Sequence, residues 1–94
     1  MNLEIRWSTN SEVTFRAIYL FIRSQWGVTI AKEIKLKIFK VLDQILKHPF
    51  LFQESRIINV RKAVITKYTS LYYEVFEDHI LLVYFWDNRQ QPIT

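Results

Sequence analysis

Four basic side chains in the C-terminal half, Arg61, Lys62, Lys67 and Arg89, are interleaved with three large aromatic ones, Tyr68, Tyr72 and Trp86. Such a set can bind phosphates and stack bases, or stabilise charge that develops during RNA cleavage. Taken singly, each cation can equally be one half of a surface ion pair. Arg89 lies three residues past a solid apolar run, Ile80-Leu81-Leu82-Val83-Tyr84-Phe85-Trp86. A guanidinium at the end of a strand offers a rigid, permanently charged fork to a phosphate or a carboxylate. The other reactive residue types form no constellation. His48 precedes Pro49 and His79 sits in an acidic turn, without metal-ligand spacing. Ser8, Ser11, Ser24, Ser55 and Ser70 have no nucleophile-elbow context, and a chain with one glycine has no glycine-rich phosphate loop. Glu74 is the only acid well inside a late strand, so a paired-carboxylate site has no anchor. Neither a metal nor a cofactor is expected.

The chain that carries these residues has 94 of them, enough for one small domain over 1–94. Half are hydrophobic and only one is glycine, a composition that packs rather than staying disordered. With no cysteine there is no disulfide framework, thiolate nucleophile or cysteine zinc site, and a reducing cytoplasm is the natural setting. The opening Met1-Asn2-Leu3-Glu4-Ile5-Arg6 alternates polar and apolar residues and does not read as a secretory signal. Ile80 to Trp86, the longest apolar run, falls far short of the roughly 20 residues of a membrane helix. The net charge of +4 favours acidic partners. Lys32, Lys35, Lys37, Lys40 and Lys47 lie mostly in one helical segment and read as its solvated face.

The elements follow from periodicity. Asn2 to Ser8 alternates as a half-buried strand, with Leu3, Ile5 and Trp7 on one side. Thr9 with Glu12 reads as a capping box, and Phe15, Ile18, Tyr19, Ile22 and Trp26 recur at helical spacing until Gly27. Thr29 can cap a second helix with the stripe Ile30, Ile34, Ile38, Val41, Leu42 and Ile45, ending at His48 before Pro49. Phe50 to Ser55 reads as a loop. Ile57 to Ile65, Thr69 to Phe76 and Ile80 to Trp86 then read as three strands of a meander. The order βααβββ predicts an α+β domain, a helical hairpin packed on one face of a small antiparallel-type sheet.

That architecture leaves a burial problem. The last strand is apolar on both sides, with Ile80, Leu82, Tyr84 and Trp86 on one and Leu81, Val83 and Phe85 on the other. The hairpin covers one face only, and the eight residues after Trp86 are too few to cover the second. A partner segment is therefore expected on an apolar surface that includes Tyr72, Phe76, Tyr84 and Trp86.

Several stretches together resemble a known family: Ile5-Arg6-Trp7-Ser8, Phe21-Ile22-Arg23-Ser24-Gln25-Trp26-Gly27, Leu46-Lys47-His48-Pro49, Asn59-Val60-Arg61-Lys62, Tyr68 to Tyr72, and Asp87-Asn88-Arg89-Gln90-Gln91-Pro92. In order and spacing they look like the RelE/ParE toxin superfamily, and more specifically its ParE branch. The resemblance spans essentially the whole chain. It implies the toxin of a type II toxin-antitoxin pair, with the βααβββ fold, held inactive by a cognate antitoxin whose C-terminal segment wraps it. RelE-like members cleave messenger RNA in the ribosome with a spread of basic residues. ParE-like members resemble gyrase poisons that trap a cleaved DNA complex without hydrolytic chemistry of their own.

The nuclease pattern is only partly present. Lys62 fits a lysine of the second strand and Arg89 the arginine after the last one. Thr69, however, stands where the nuclease branch has a catalytic arginine, and the chain ends at Thr94, before that branch's C-terminal tyrosine. The leading expectation is thus a ParE-like inhibitor of DNA gyrase or a related topoisomerase, with Arg61, Arg89 and Trp86 as target contacts. The alternative is a ribosome-dependent mRNA endonuclease using Lys62, Lys67 and Arg89, and a third reading is a small basic RNA-binding or scaffolding domain.

Overall fold

In the computed structural model, which describes residues 3–89, strand β1 (Glu4–Trp7) leads directly into helix α1 (Thr9–Trp26). Helix α2 (Val28–Lys47), the two-residue strand β2 (Gln53–Glu54) and strands β3 (Val60–Thr66), β4 (Thr69–Val75) and β5 (His79–Asp87) follow. The strands form one sheet in the order β1-β5-β4-β3-β2. Two features differ from the sequence reading. The sheet is mixed, because the first strand, β1, lies parallel to the last, β5, with Ile5 opposite Ile80 and Trp7 opposite Leu82. The presumed loop after α2 contributes the edge strand β2, paired with Arg61 and Lys62 of β3.

The helix ends also shift by a residue or two. Ser8, not Thr9, caps α1: its hydroxyl accepts the Ser11 N–H at 2.9 Å, and the Ser11 hydroxyl donates back to the Ser8 carbonyl at 2.8 Å. A hydroxyl one residue before the first helical turn meets its free N–H groups, whichever serine or threonine supplies it. Gly27 closes α1 at φ 92° and its carbonyl starts α2 by accepting the Ala31 N–H at 3.2 Å, so Thr29 lies inside α2 and caps nothing. That positive φ is costly for any residue with a Cβ, which explains why the single glycine sits here. The third strand starts later than Ile57 because Ser55 to Val60 is a closed turn. The Ser55 N–H and hydroxyl both donate to the Val60 carbonyl, at 2.9 and 2.7 Å, and Asn59 sits at φ 67°.

A β-bulge in β5 decides which side chains face the helices. Tyr72 stands opposite Tyr84, but the next residue of β4, Tyr73, stands opposite Leu82, leaving Val83 as an extra residue. An extra residue moves every later side chain to the other face. Ile80 and Leu82 therefore share the helix-facing side with Phe85, while Tyr84 and Trp86 lie on the outer side, which corrects the alternation expected for this strand. The bulge's backbone groups are met by α1 and its cap, beyond the point where β1 ends. The Ser8 hydroxyl donates to the Val83 carbonyl at 2.7 Å, and the Phe85 N–H donates to the Thr14 hydroxyl at 2.8 Å. The core lies between the hairpin and the inner sheet face, built from Ile38, Leu42 and Ile45 of α2 with Ala63, Ile65, Leu71, Tyr73, Ile80, Leu82 and Phe85. Phe85 ties the layers together, 5.5 Å from the Phe15 ring and 5.7 Å from the Trp7 ring. No helix among the described residues is long and apolar enough to cross a membrane.

Candidate functional site

Where α1 and α2 meet, a groove of about 830 Å³ lies between them and the end of the sheet. One wall is apolar and helical: Ala17, Ile18, Phe21, Ile22 and Trp26 of α1 with Ile30 and Ile34 of α2. The other is the end of β4 and β5, with Tyr68, Thr69, Phe85, Trp86, Asp87 and Arg89. The helical stripe that was expected to be covered is in part open here, and Trp26 is 56 % exposed, edge-on to Phe21 with ring centroids 6.1 Å apart. Among the described lining residues only Tyr68, Asp87 and Arg89 are ionisable.

Arg89 is held firmly at the rim. Its Nε donates to both carboxylate oxygens of Asp87, at 3.0 and 3.2 Å, and its Nη2 donates at 2.6 Å. The Arg89 backbone N–H adds a fourth bond at 3.0 Å, and the guanidinium carbon lies 4.5 Å from the Phe21 ring centre. Hydrogen bonding from Arg89 holds the Asp87 carboxyl below the usual carboxylate range, against a smaller opposing effect of burial. The same bond, with Asp87 as its first cause, raises the Arg89 pKa further. Asn88 locks the turn by donating its N–H to the Tyr68 carbonyl at 2.7 Å and its amide to the Ser70 hydroxyl at 2.8 Å.

The remaining basic candidates are dispersed. Lys62 lies on the outer sheet face, its Nζ 5.8 Å from the Tyr72 ring centre, so the sheet separates it from Arg89. Lys67 sits in the β3–β4 turn over the Tyr68 ring, at 5.0 Å. Arg61 is tied into the segment after α2: Nη1 donates to the Phe52 carbonyl at 2.7 Å, Nη2 faces Glu54 at 3.7 Å, and the guanidinium covers the Phe50 ring at 4.9 Å.

The outer face is less open than expected. Tyr72 is 1 % exposed, packed on Tyr84 with ring centroids 4.8 Å apart, and so presents no contact surface of its own. Phe76 lies past the far end of β4, stacked on the His79 ring at 4.6 Å, apart from the others. Tyr84 and Trp86 are half-buried neighbours 6.3 Å apart, and the Tyr84 hydroxyl and Trp86 Nε1 are buried without a partner among the described residues. Burial raises the Tyr84 pKa, with Tyr72 adding to it. Trp86 also lines the groove, and so joins the two surfaces. Gln90, Gln91 and Pro92 lie outside the described residues.

Sequence reasoning missed Phe21, Trp26 and Ile30 as open groove residues and Asp87 as the partner of Arg89. For Asp87 a signal existed, an acid two residues before an arginine across a turn-forming asparagine. For the apolar three there was none, since an exposed hydrophobic stripe and a buried one read alike. Among the described residues no three histidine, aspartate or glutamate side chains converge as a metal site would require.

Three solved structures are similar to this chain in fold. One from the chromosomal ParDE toxin-antitoxin system of P. aeruginosa superposes with a TM-score of 0.80 at 15 % identity, over 90 % of this chain and 95 % of that one. The YoeB dimer of Staphylococcus aureus gives 0.62 at 19 % identity, over 89 % of this chain and 94 % of that one. A copper-bound mutant toxin from Helicobacter pylori gives 0.56 at 17 % identity, over 93 % and 96 %. At these identities the likeness is one of fold. No curated protein sequence matches significantly. Residues 5–92 match the family model described as the ParE toxin of the type II toxin-antitoxin system parDE, so nearly the whole chain, from β1 through the turn that holds Arg89, belongs to the ParE toxin family.

Proposed function

We infer that this toxin acts in the ParE manner, inhibiting DNA gyrase or a related topoisomerase until a cognate antitoxin covers it. One observation carries the reading: the only cation among the described residues that line the groove, Arg89, is already neutralised by Asp87. Cleaving RNA by charge stabilisation needs uncompensated cations aimed at the phosphate, and losing them costs orders of magnitude in rate. Thr69, in the groove wall, supplies no charge where the resemblance places a nuclease arginine, and Lys62 is on the far side of the sheet. Trp86 and Arg89, at the rim, are the proposed target contacts, whereas Arg61 acts through the segment it pins. The apolar helical wall, continuous with Trp86 and Tyr84, is the proposed seat of the antitoxin.

Induced expression with two readouts tests this. Gyrase-cleaved DNA is expected to accumulate while transcripts stay whole. Codon-phased RNA cuts with intact DNA would instead assign the ribosome-dependent nuclease.

A further inference from the structure

Positive charge is distributed unevenly between the two layers. The helices α1 and α2 contain seven basic and three acidic residues, a net +4, while the six basic and six acidic residues of the rest cancel. The whole formal charge of the protein thus resides on the hairpin. Its seven cations are all exposed, and among the described residues only Lys47 has a carboxylate partner, Asp43 at 3.4 Å. Outside the hairpin, by contrast, Arg6, Arg61 and Arg89 each face an acid.

The hairpin's register sets these free cations in pairs. Lys35 lies 5.9 Å from the Tyr19 ring and Phe39 6.5 Å from Phe15, which fixes how the antiparallel helices align. In that alignment Arg23 is level with Lys32, and Arg16 with Lys40, to within a turn. All four occupy the exposed sides of their helices. Eight residues separate Lys32 from Lys40, about 12 Å along the helix at 1.5 Å per residue. That is about the width of the major groove, so each cation pair can meet one of the flanking phosphate strands.

We propose that the outward face of the helical hairpin, carrying Arg16, Arg23, Lys32 and Lys40, docks on the phosphate backbone of duplex DNA. Lysines here are hydrated point charges suited to phosphodiesters, and the fold meets carboxylates mainly with arginine forks. In function the face would hold the toxin on the DNA that its target enzyme cleaves; that role rests on the gyrase reading, whereas the binding itself does not.

The test is fluorescence anisotropy of the full chain with a labelled duplex of about 30 base pairs, between about 50 and 200 mM salt. Four phosphate contacts predict a slope of log affinity against log salt of about −3.6, and a loss of about 100-fold over that range. Lys40→Glu is expected to flatten the slope by about one and weaken binding at least about fivefold, whereas Arg56→Glu, an equal change in net charge, leaves the slope in place. Equal effects of the two variants, no binding at the lowest salt, or tighter binding of single-stranded RNA would overturn the proposal. So would a loss on Leu36→Ala, since that apolar side chain, 67 % exposed between Lys32 and Lys40, would anchor an acidic peptide and not a phosphate backbone. Gyrase-dependent DNA cleavage is scored separately. A protein that binds duplex through this face but never stimulates cleavage defeats the gyrase reading and leaves the docking face standing, and the converse result does the opposite.

Discussion

The helical layer and the sheet layer handle charge and apolar surface in opposite ways. In the sheet, arginines are locked by neighbouring acids and a backbone carbonyl, and the aromatics pack on one another until Tyr72 and Tyr73 are closed off from water. In the hairpin, all cations but Lys47 lack a carboxylate partner among the described residues, and large apolar residues such as Trp26, Ile30 and Leu36 are left open to solvent. A layer that satisfies itself supplies stability, while one that does not supplies recognition. The two meet at β5, where the bulge at Val83 turns Phe85 toward α1 and Trp86 toward the rim.

The strongest way to break this comparison is at Phe85, 2 % exposed and shared by both layers. Phe85→Ala is expected to cost about 3–5 kcal/mol. For a domain whose total stability is about 5–15 kcal/mol, urea unfolding should shift far to lower denaturant. Coincident loss of helical and near-ultraviolet signals would show one cooperative unit, whereas a surviving helical signal would show that the hairpin does not depend on the sheet. Next in size is Thr14→Val, which leaves the Phe85 N–H of the bulge without its acceptor and should cost about 1–3 kcal/mol in the same assay.

Charge changes sharpen the comparison with smaller effects on stability. Asp87→Asn frees the Arg89 guanidinium and should move stability by less than about 1 kcal/mol, because the pair is partly solvated. Target inhibition is the more telling readout: if Arg89 grips the target, the freed fork should bind more tightly, and a folded Arg89→Ala variant that stays fully toxic would remove that role. Titration provides two further checks. Asp87 has a folded pKa below its unfolded value, so its pairing stabilises the fold above the ordinary carboxylate range near pH 4 and is lost as pH falls through the depressed value. Acid should therefore loosen the groove rim, visible as a change at Trp86 in fluorescence. Tyr73 runs the other way. Burial pushes its hydroxyl up to about 12, so its contribution is complete below pH 10 or so and is lost as pH rises through 12. Absorbance at alkaline pH should show at least one tyrosine ionising late.

Much of the fold was legible because it is local. Alternation in Leu3, Ile5 and Trp7, helical spacing from Phe15 to Ile22, and one glycine between two apolar stripes each follow from a short window of chain. The cap of α1 slipped by a residue because Ser8 and Thr9 offer the same hydroxyl and only packing selects between them, while α2 starts at Gly27 with no side-chain cap. The candidate site was legible in part: Arg89 and Trp86 do stand at a groove, but Lys62 and Arg61 were grouped with them by sequence proximity, which says nothing about which face or which edge of a sheet a residue occupies.

By itself the sequence determined the class of the chain, the order of its elements apart from the short edge strand β2, its excess of positive charge and the kinship of its spaced motifs. These depend on residue type and short-range period, and survive without knowledge of what touches what. Only the tertiary structure decided that the extra residue at Val83 reverses the faces of β5, that Asp87 occupies Arg89, and that the hairpin's cations, Lys47 apart, have no carboxylate partner among the described residues. Those outcomes depend on long-range pairing: a one-residue change of register moves a side chain to the opposite face, and a charge is free or neutralised according to what folding places beside it.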